Sequence, residues 1–144
     1  MSAVAPSRRP GVVAVYSIHH FVFSVPDLDV AVRFYVAFGL DVQRTGDRLS
    51  LRTFGHPHAW ATVVQGGERK KLQYVSYGIH ADDEAHFRQR IAGRSIGPHP
   101  LSDGQGLWLR DPDGLAIQLV VADKVSPSLP SPNITQTAPP LGQG

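Results

Sequence analysis

The 144-residue sequence contains no cysteine. That absence excludes disulfides, thiolate nucleophiles and cysteine-ligated zinc, and it fits the reducing conditions of the cytoplasm, where the protein is expected. Any metal would have to sit on His, carboxylate, amide or phenol. Charge of one sign is also scarce, with 14 Lys and Arg set against 12 Asp and Glu for a net charge of +2. The densest basic cluster, Arg69-Lys70-Lys71, is too small for the row of phosphate contacts that a nucleic acid requires, and it reads as a solvated connection between strands. No apolar run approaches the ~18 residues of a membrane span. Arg8-Arg9 precede a short apolar run that breaks at Tyr16-Ser17-Ile18-His19-His20, before the ~7–15 residues of a secretion signal, so no export is expected. A nucleophile with its base and a phosphate-cradling glycine loop are missing too, and Gly104-x-Gly106 reads as a turn between strands.

What the chain does have is a repeat. Val25 and Ile79 are as far apart as Gly39 and Gly93, and each pair brackets an acidic helix start and an amphipathic helix. The same offset places His20 opposite Tyr74. Two βα units of one design are implied.

In the first unit, His20, Val22 and Ser24 share one face of an extended segment, while His19, Phe21, Phe23 and Val25 share the other. On that regular geometry His19 faces away from His20, so the pair cannot chelate together. Pro26-Asp27 ends the strand and supplies an N-cap, with Asp29 in the first helical turn. Leu28, Ala31, Val32, Tyr35 and Phe38 make a helical stripe, and Gly39 offers a left-handed C-terminal residue. Strands are expected over 40–44, 49–53 and 60–65. The second unit is expected to have a strand over 72–79, a helix over about 83–92 with a thin stripe of Phe87 and Ile91, an extended piece near 95–97, and strands over 107–110 and 116–121. Asp111-Pro112-Asp113-Gly114 places Pro and Gly where a type I turn favours them, between the last two strands.

The spacing therefore predicts an N-terminal arm over 1–15 and a domain over 16–123, built from units 16–66 and 71–123. A tail over 124–144 holds five of the chain's 12 prolines and reads as an extended linker. The fold class is α+β, with the order βαβββ occurring twice.

His20-x-x-x-x-Val25-x-Asp27-Leu28-x-x-Ala31-x-x-Phe34-Tyr35 at the first strand, with Asp111-Pro112-Asp113-Gly114-x-x-Ile117-x-Leu119 at the last, resembles the vicinal oxygen chelate superfamily. That family includes glyoxalase I, bleomycin resistance proteins and type I extradiol dioxygenases. The resemblance implies two βαβββ units forming a cupped, mostly antiparallel sheet with the helices outside, and a divalent metal held where the two half-sheets face each other. Such an open sheet has edges to protect, so a dimer or other homo-oligomer is expected. Carried over by motif, the ligand positions fall on His20, Tyr74 and Gln118, with Thr62 or Val64 at a further position that depends on register. Only His20 is a good ligand. Neutral Gln118 and a protonated Tyr74 provide no anionic oxygen to offset a divalent charge, so no metal is expected, and His20 and Gln118 remain only weak candidates. His20 is then expected to hydrogen-bond a neighbour such as Gln118 or Tyr74, and His20, Tyr74, Gln118 and Thr62 become candidates for lining a small-molecule pocket. His56 and His58 are expected in a surface loop.

A metal-poor βαβββ pair followed by a proline-rich linker is most similar to the N-terminal domain of a type I extradiol dioxygenase. The resemblance implies a parent that cleaves catechol-like rings in aromatic catabolism, with Fe(II) in a C-terminal partner domain, no cofactor in this chain, and no activity from this chain alone. Two alternatives stay open. One is a stand-alone protein of the bleomycin-resistance type binding an aromatic or vicinal-oxygen ligand, and the other is a glyoxalase-like metal-dependent lyase or isomerase.

Overall fold

The computed structural model describes residues 12–122. The expected proline-rich tail and most of the expected N-terminal arm lie outside the described residues. In chain order the elements are β1 (Ser17–Val25), α1 (Leu28–Phe38), β2 (Asp41–Thr45), β3 (Arg48–Arg52), β4 (Ala61–Gln65), β5 (Lys71–Ile79), a single 3-10 turn (Ala81–Asp83) running into α2 (Glu84–Arg90), β6 (Leu107–Arg110) and β7 (Ala116–Val121).

Local chemistry sets the ends of these elements. Asp27 stops β1 and caps α1, its carboxylate accepting from the backbone N–H of Asp29 at 2.8 Å and of Val30 at 3.3 Å, a cap worth about 1 kcal/mol. Gly39 closes the same helix with φ 106°, a conformation that costs a residue with Cβ but not glycine. The Asp111-Pro-Asp-Gly turn forms as its sequence suggests. The Gly114 N–H donates to the Asp111 carbonyl, and the Asp111 carboxylate accepts from Asp113 and Leu115, each at 2.9 Å.

The strands form one sheet in the order β2-β3-β4-β1-β5-β7-β6. β1 pairs with β4 in parallel and with β5 antiparallel, and β5 pairs with β7 in parallel. Each half is therefore built alike, and the two meet at the β1–β5 seam. The second half departs from the repeat in one place. The counterpart of β2 is an extended segment tied to β6 by a hydrogen bond from the Ile96 N–H to the Trp108 carbonyl at 2.9 Å. Pro98 and Pro100 have no N–H of their own to donate to a ladder, so this segment does not become a strand.

One face of the sheet is covered by helices. Phe23, Val25, Leu49, Leu51 and Val63 pack against Leu28 and Ala31 of α1. Leu28, Leu49 and Val63 are at most 1% exposed, and burying each contributes on the order of 1.5–3 kcal/mol. Phe38, expected in the α1 stripe, instead lies outside this cluster, 70% exposed and stacked on Phe34. In the second half Ile79, Ile91, Leu107 and Leu119 form the matching cluster, with Phe87 packed against it. No residue within α2 itself is buried, as its thin stripe implies. The opposite face carries a third cluster of Val22, Tyr74, Trp108 and Ala116, over which Ile96 and Leu101 fold. With both faces occupied, every residue from Val22 to Val25 is buried.

Candidate functional site

The candidate residues come from four adjacent strands, β4, β1, β5 and β7, on the face that the helices leave open. His20 of β1 stands opposite Ser76 of β5, which stands opposite Gln118 of β7, which in turn stands opposite Trp108 of β6. Two residues further along β1, Val22 lies between Thr62 and Tyr74. His19, His20, Arg48, Tyr74, Ser76, Asp103 and Gln118 line a cleft of about 240 Å³. Three sequence candidates, His20, Tyr74 and Gln118, are thus brought together, whereas Thr62 sits beside His20 as its partner and does not line this cleft.

His19 is a correction. The β1–β5 register shifts between Ile18 and His20, a bulge that puts two residues of β1 against one of β5 and re-aims a side chain. His19 consequently lines the same cleft as His20 instead of the other face. A second shift lies between Val22 and Phe23.

His20 bonds neither Gln118 nor Tyr74. Its Nδ1 lies 2.7 Å from the Ala59 carbonyl oxygen and its Nε2 lies 2.9 Å from the Thr62 hydroxyl oxygen. A carbonyl only accepts, so Nδ1 carries the hydrogen and Nε2 accepts from Thr62. Gln118 is also held at both ends. Its side-chain oxygen accepts from the Ser76 hydroxyl, and its NH₂ donates to the Gln105 carbonyl at 2.9 Å. The Gln105 carbonyl takes a second hydrogen, from the Trp108 indole N–H at 2.8 Å. Tyr74 packs edge-on against Trp108 at 5.0 Å and beside the His99 ring at 5.2 Å.

A divalent metal does not fit this donor set. The Nε2 lone pair of His20 is engaged by Thr62, Gln118 spends its oxygen on Ser76, and burial, followed by the Asp103 charge, pushes the Tyr74 phenol up and further from ionisation. Among the described residues, no three His, Asp or Glu side chains converge to hold a metal ion.

His56 and His58 are not isolated loop residues. The His58 Nε2–H donates to the His19 carbonyl at 2.7 Å, and the His19 and His58 rings lie 4.9 Å apart. His58 also packs edge-on against Trp60 at 4.5 Å. Burial, with repulsion from His58 and His20, lowers the His19 pKa; burial also lowers that of His20, against the Ala59 hydrogen bond and with help from His58. The unfolded chain, with histidines near the ordinary ~6.5, therefore takes up protons first as pH falls. Stability is full above that pH and declines as pH drops towards the folded-state values. The urea midpoint is expected to be lower at about pH 5.5 than at about pH 7.5, and the difference should shrink in His20→Gln. Equal pH dependence of the two proteins would refute this account.

Sequence reasoning missed Ser76, Arg48 and Asp103. Ser76 was within reach, since it lies two positions beyond Tyr74 on one strand and so shares its face. Arg48 and Asp103 arrive through sheet pairing and a long loop, for which no local signal exists.

No protein-family model matches the chain. Metapyrocatechase 2 of Cupriavidus necator is 41% identical over 138 residues, which make up 94% of this chain and 42% of that relative. Among solved structures, 2,2',3-trihydroxybiphenyl 1,2-dioxygenase of Sphingomonas wittichii superposes with a TM-score of 0.63 at 18% identity, covering 78% of this chain and 43% of that one. The Mn(II)-bound glyoxalase of Novosphingobium aromaticivorans gives 0.60 at 16%, covering 75% and 39%. The chain thus spans less than half the length of these relatives. Its fold is the glyoxalase/extradiol dioxygenase fold. The chain resembles proteins of the vicinal oxygen chelate superfamily, and among them it is most like the N-terminal domain of an extradiol dioxygenase-like protein. No helix among the described residues is long and apolar enough to cross a membrane.

Proposed function

We propose that this chain is the metal-free N-terminal domain of a type I extradiol, catechol-ring-cleaving dioxygenase-like protein, and that it has no ring-cleaving activity alone. The observation that carries this reading is the 41% identity to metapyrocatechase 2 along 94% of the chain, which accounts for 42% of that relative's length. The closed hydrogen bonding of His20 and Gln118 supports it from the side of chemistry, because a site that spends its donors on Thr62 and Ser76 supplies no metal cage. On this reading the segment over 16–123 is a scaffold, 124–144 is a linker, and a following domain brings Fe(II) to an aromatic diol. The open edge at β2 favours a homo-oligomer of the whole protein.

The purified chain, incubated anaerobically with Fe(II) or Mn(II) and then given catechol in air, is expected to consume no O₂ beyond the rate of free metal and to retain no stoichiometric ion. Turnover lost in His20→Ala would overturn the proposal and assign an enzyme to this chain. Reading the coding DNA past Gly144 provides an independent check: a second His-x-x-x-x-Val unit is expected, and a stop codon there would favour the stand-alone alternative.

A further inference from the structure

A second and larger cleft, of about 970 Å³, opens beside the His20 cavity. It lies between the β4–β5 connection, the start of β3 and the segment His99–Leu101. Arg48 and Leu101 line both spaces, so the two form one groove across the face that carries no helix.

The charges around this cleft are unbalanced. Arg48, Arg69, Lys70 and Lys71 face Asp47 and Glu68. Lys70 is already engaged, with its ammonium 4.6 Å over the Phe23 ring and donating to the Tyr35 hydroxyl at 3.3 Å. Arg48, Arg69 and Lys71 have no carboxylate partner among the described residues, where the ion pairs are Arg44 with Asp29 and Arg88 with Glu84. Three solvated cations beside one concave wall attract an anion.

The rest of the wall is firm and largely apolar. Val64 is buried on the floor, and Pro100 and Leu101 form one side. The His99 ring is fixed by its Nδ1, which accepts from the Leu101 N–H at 3.1 Å, and by its contact with Tyr74. Burial, then the Arg110 and Lys71 charges, lowers the His99 pKa, so at neutral pH the ring presents an uncharged flat surface. Deeper in, Gln73 donates to the Ser24 hydroxyl at 2.9 Å, which holds the floor in place before any ligand arrives.

We propose that this cleft binds a small aromatic carboxylate, its carboxylate held by Arg48 with Arg69 and Lys71, and its ring lying against His99, Pro100 and Leu101. The planar fork of a guanidinium matches a carboxylate two oxygens at a time, and the apolar wall suits a ring better than a hydrated inorganic anion. The inference stands on this chain's own cleft and does not depend on the dioxygenase reading; neither metal nor O₂ enters its test, so the two can fail separately.

The test is a titration of the full 144-residue chain with benzoate, followed by amide chemical shifts. Benzyl alcohol serves as the uncharged isostere and inorganic phosphate as the non-aromatic anion. Saturable benzoate binding is expected, with shifts centred on residues 64–71 and 99–101, weakening as salt is raised. Neither control should match it. Arg48→Gln and Lys71→Gln replace exposed side chains and leave the fold intact, and the first should weaken benzoate about tenfold, the scale of one charge-assisted pair. Any of three results overturns the proposal: no saturable benzoate binding, benzyl alcohol or phosphate binding equally well, or wild-type affinity in both variants.

Discussion

Gly106→Ala is expected to lower the unfolding free energy by roughly 3 kcal/mol or more, combining backbone strain with a clash that cannot relax. Gly106 sits at φ 78°, where a residue with Cβ is strained, and a Cβ built there would lie 2.5 Å from the Leu119 carbonyl oxygen and 3.3 Å from Cγ of Gln118. Leu119 is paired to Leu107 in the β6–β7 ladder, so its carbonyl cannot retreat without breaking the sheet. Gly104 is the internal control. Its φ is 82°, yet nothing lies within 4 Å of its missing Cβ, so Gly104→Ala should cost only the strain, about 1–2 kcal/mol. Urea denaturation of both variants measures the difference. Equal losses would show that the Leu119 contact yields easily. The larger loss in Gly106→Ala should come with a displacement of Gln118, whose Cγ lies 3.3 Å from the added Cβ, and the Ser76 and Gln105 signals should shift in step.

Trp108→Ala is expected to cost about 3–5 kcal/mol, the usual range for deleting a buried aromatic side chain. Trp108 is 2% exposed, packs edge-on against Tyr74 and donates to the Gln105 carbonyl, the same oxygen that receives Gln118. Removing it therefore empties the centre of the open-face cluster and loosens the loop that holds Gln118. Trp108→Phe keeps most of the volume but not the hydrogen bond, and should cost only about 1–2 kcal/mol. If alanine and phenylalanine destabilise equally, the hydrogen bond dominates and the cluster contributes little. Against a domain stability of about 5–15 kcal/mol, the alanine variant is close to the limit of folding.

The parts of the fold that were legible in the sequence are those fixed by neighbours in the chain. Pro26-Asp27 and Gly39 mark both ends of α1, and Asp111-Pro-Asp-Gly marks the β6–β7 hairpin, because each acts through its own backbone and the residues beside it. The matched spacing of Val25 and Gly39 with Ile79 and Gly93 revealed the doubled architecture for the same reason. The site was only half legible. Alternation along a strand placed His20 on the right face, but the bulge that turns His19 into the same cleft is a property of β1–β5 pairing and leaves no local mark. The partners of His20, the Ala59 carbonyl and the Thr62 hydroxyl, come from the approach to β4 and from β4 itself, and the sequence does not say which of several distant polar groups will arrive. The weakness of the second half could be read more directly: Phe87 and Ile91 alone could not make α2 bury as α1 does, and Gly97-Pro98 stops the extended segment from joining the ladder.

The central position of β1 also governs how the chain can assemble in time. β1 is the first described strand to leave the ribosome, yet Phe21 pairs with Ala61 and Ser17 with Gly78. Its apolar residues therefore find no partner strand until the whole first half has been synthesised, and its second partner, β5, comes only with the start of the other half. Such long sequence separations place the domain among slow folders, on the order of milliseconds to seconds. During that interval the stretch from Phe21 to Val25 is the segment most in need of a chaperone, whereas the β6–β7 hairpin can close as soon as its turn emerges.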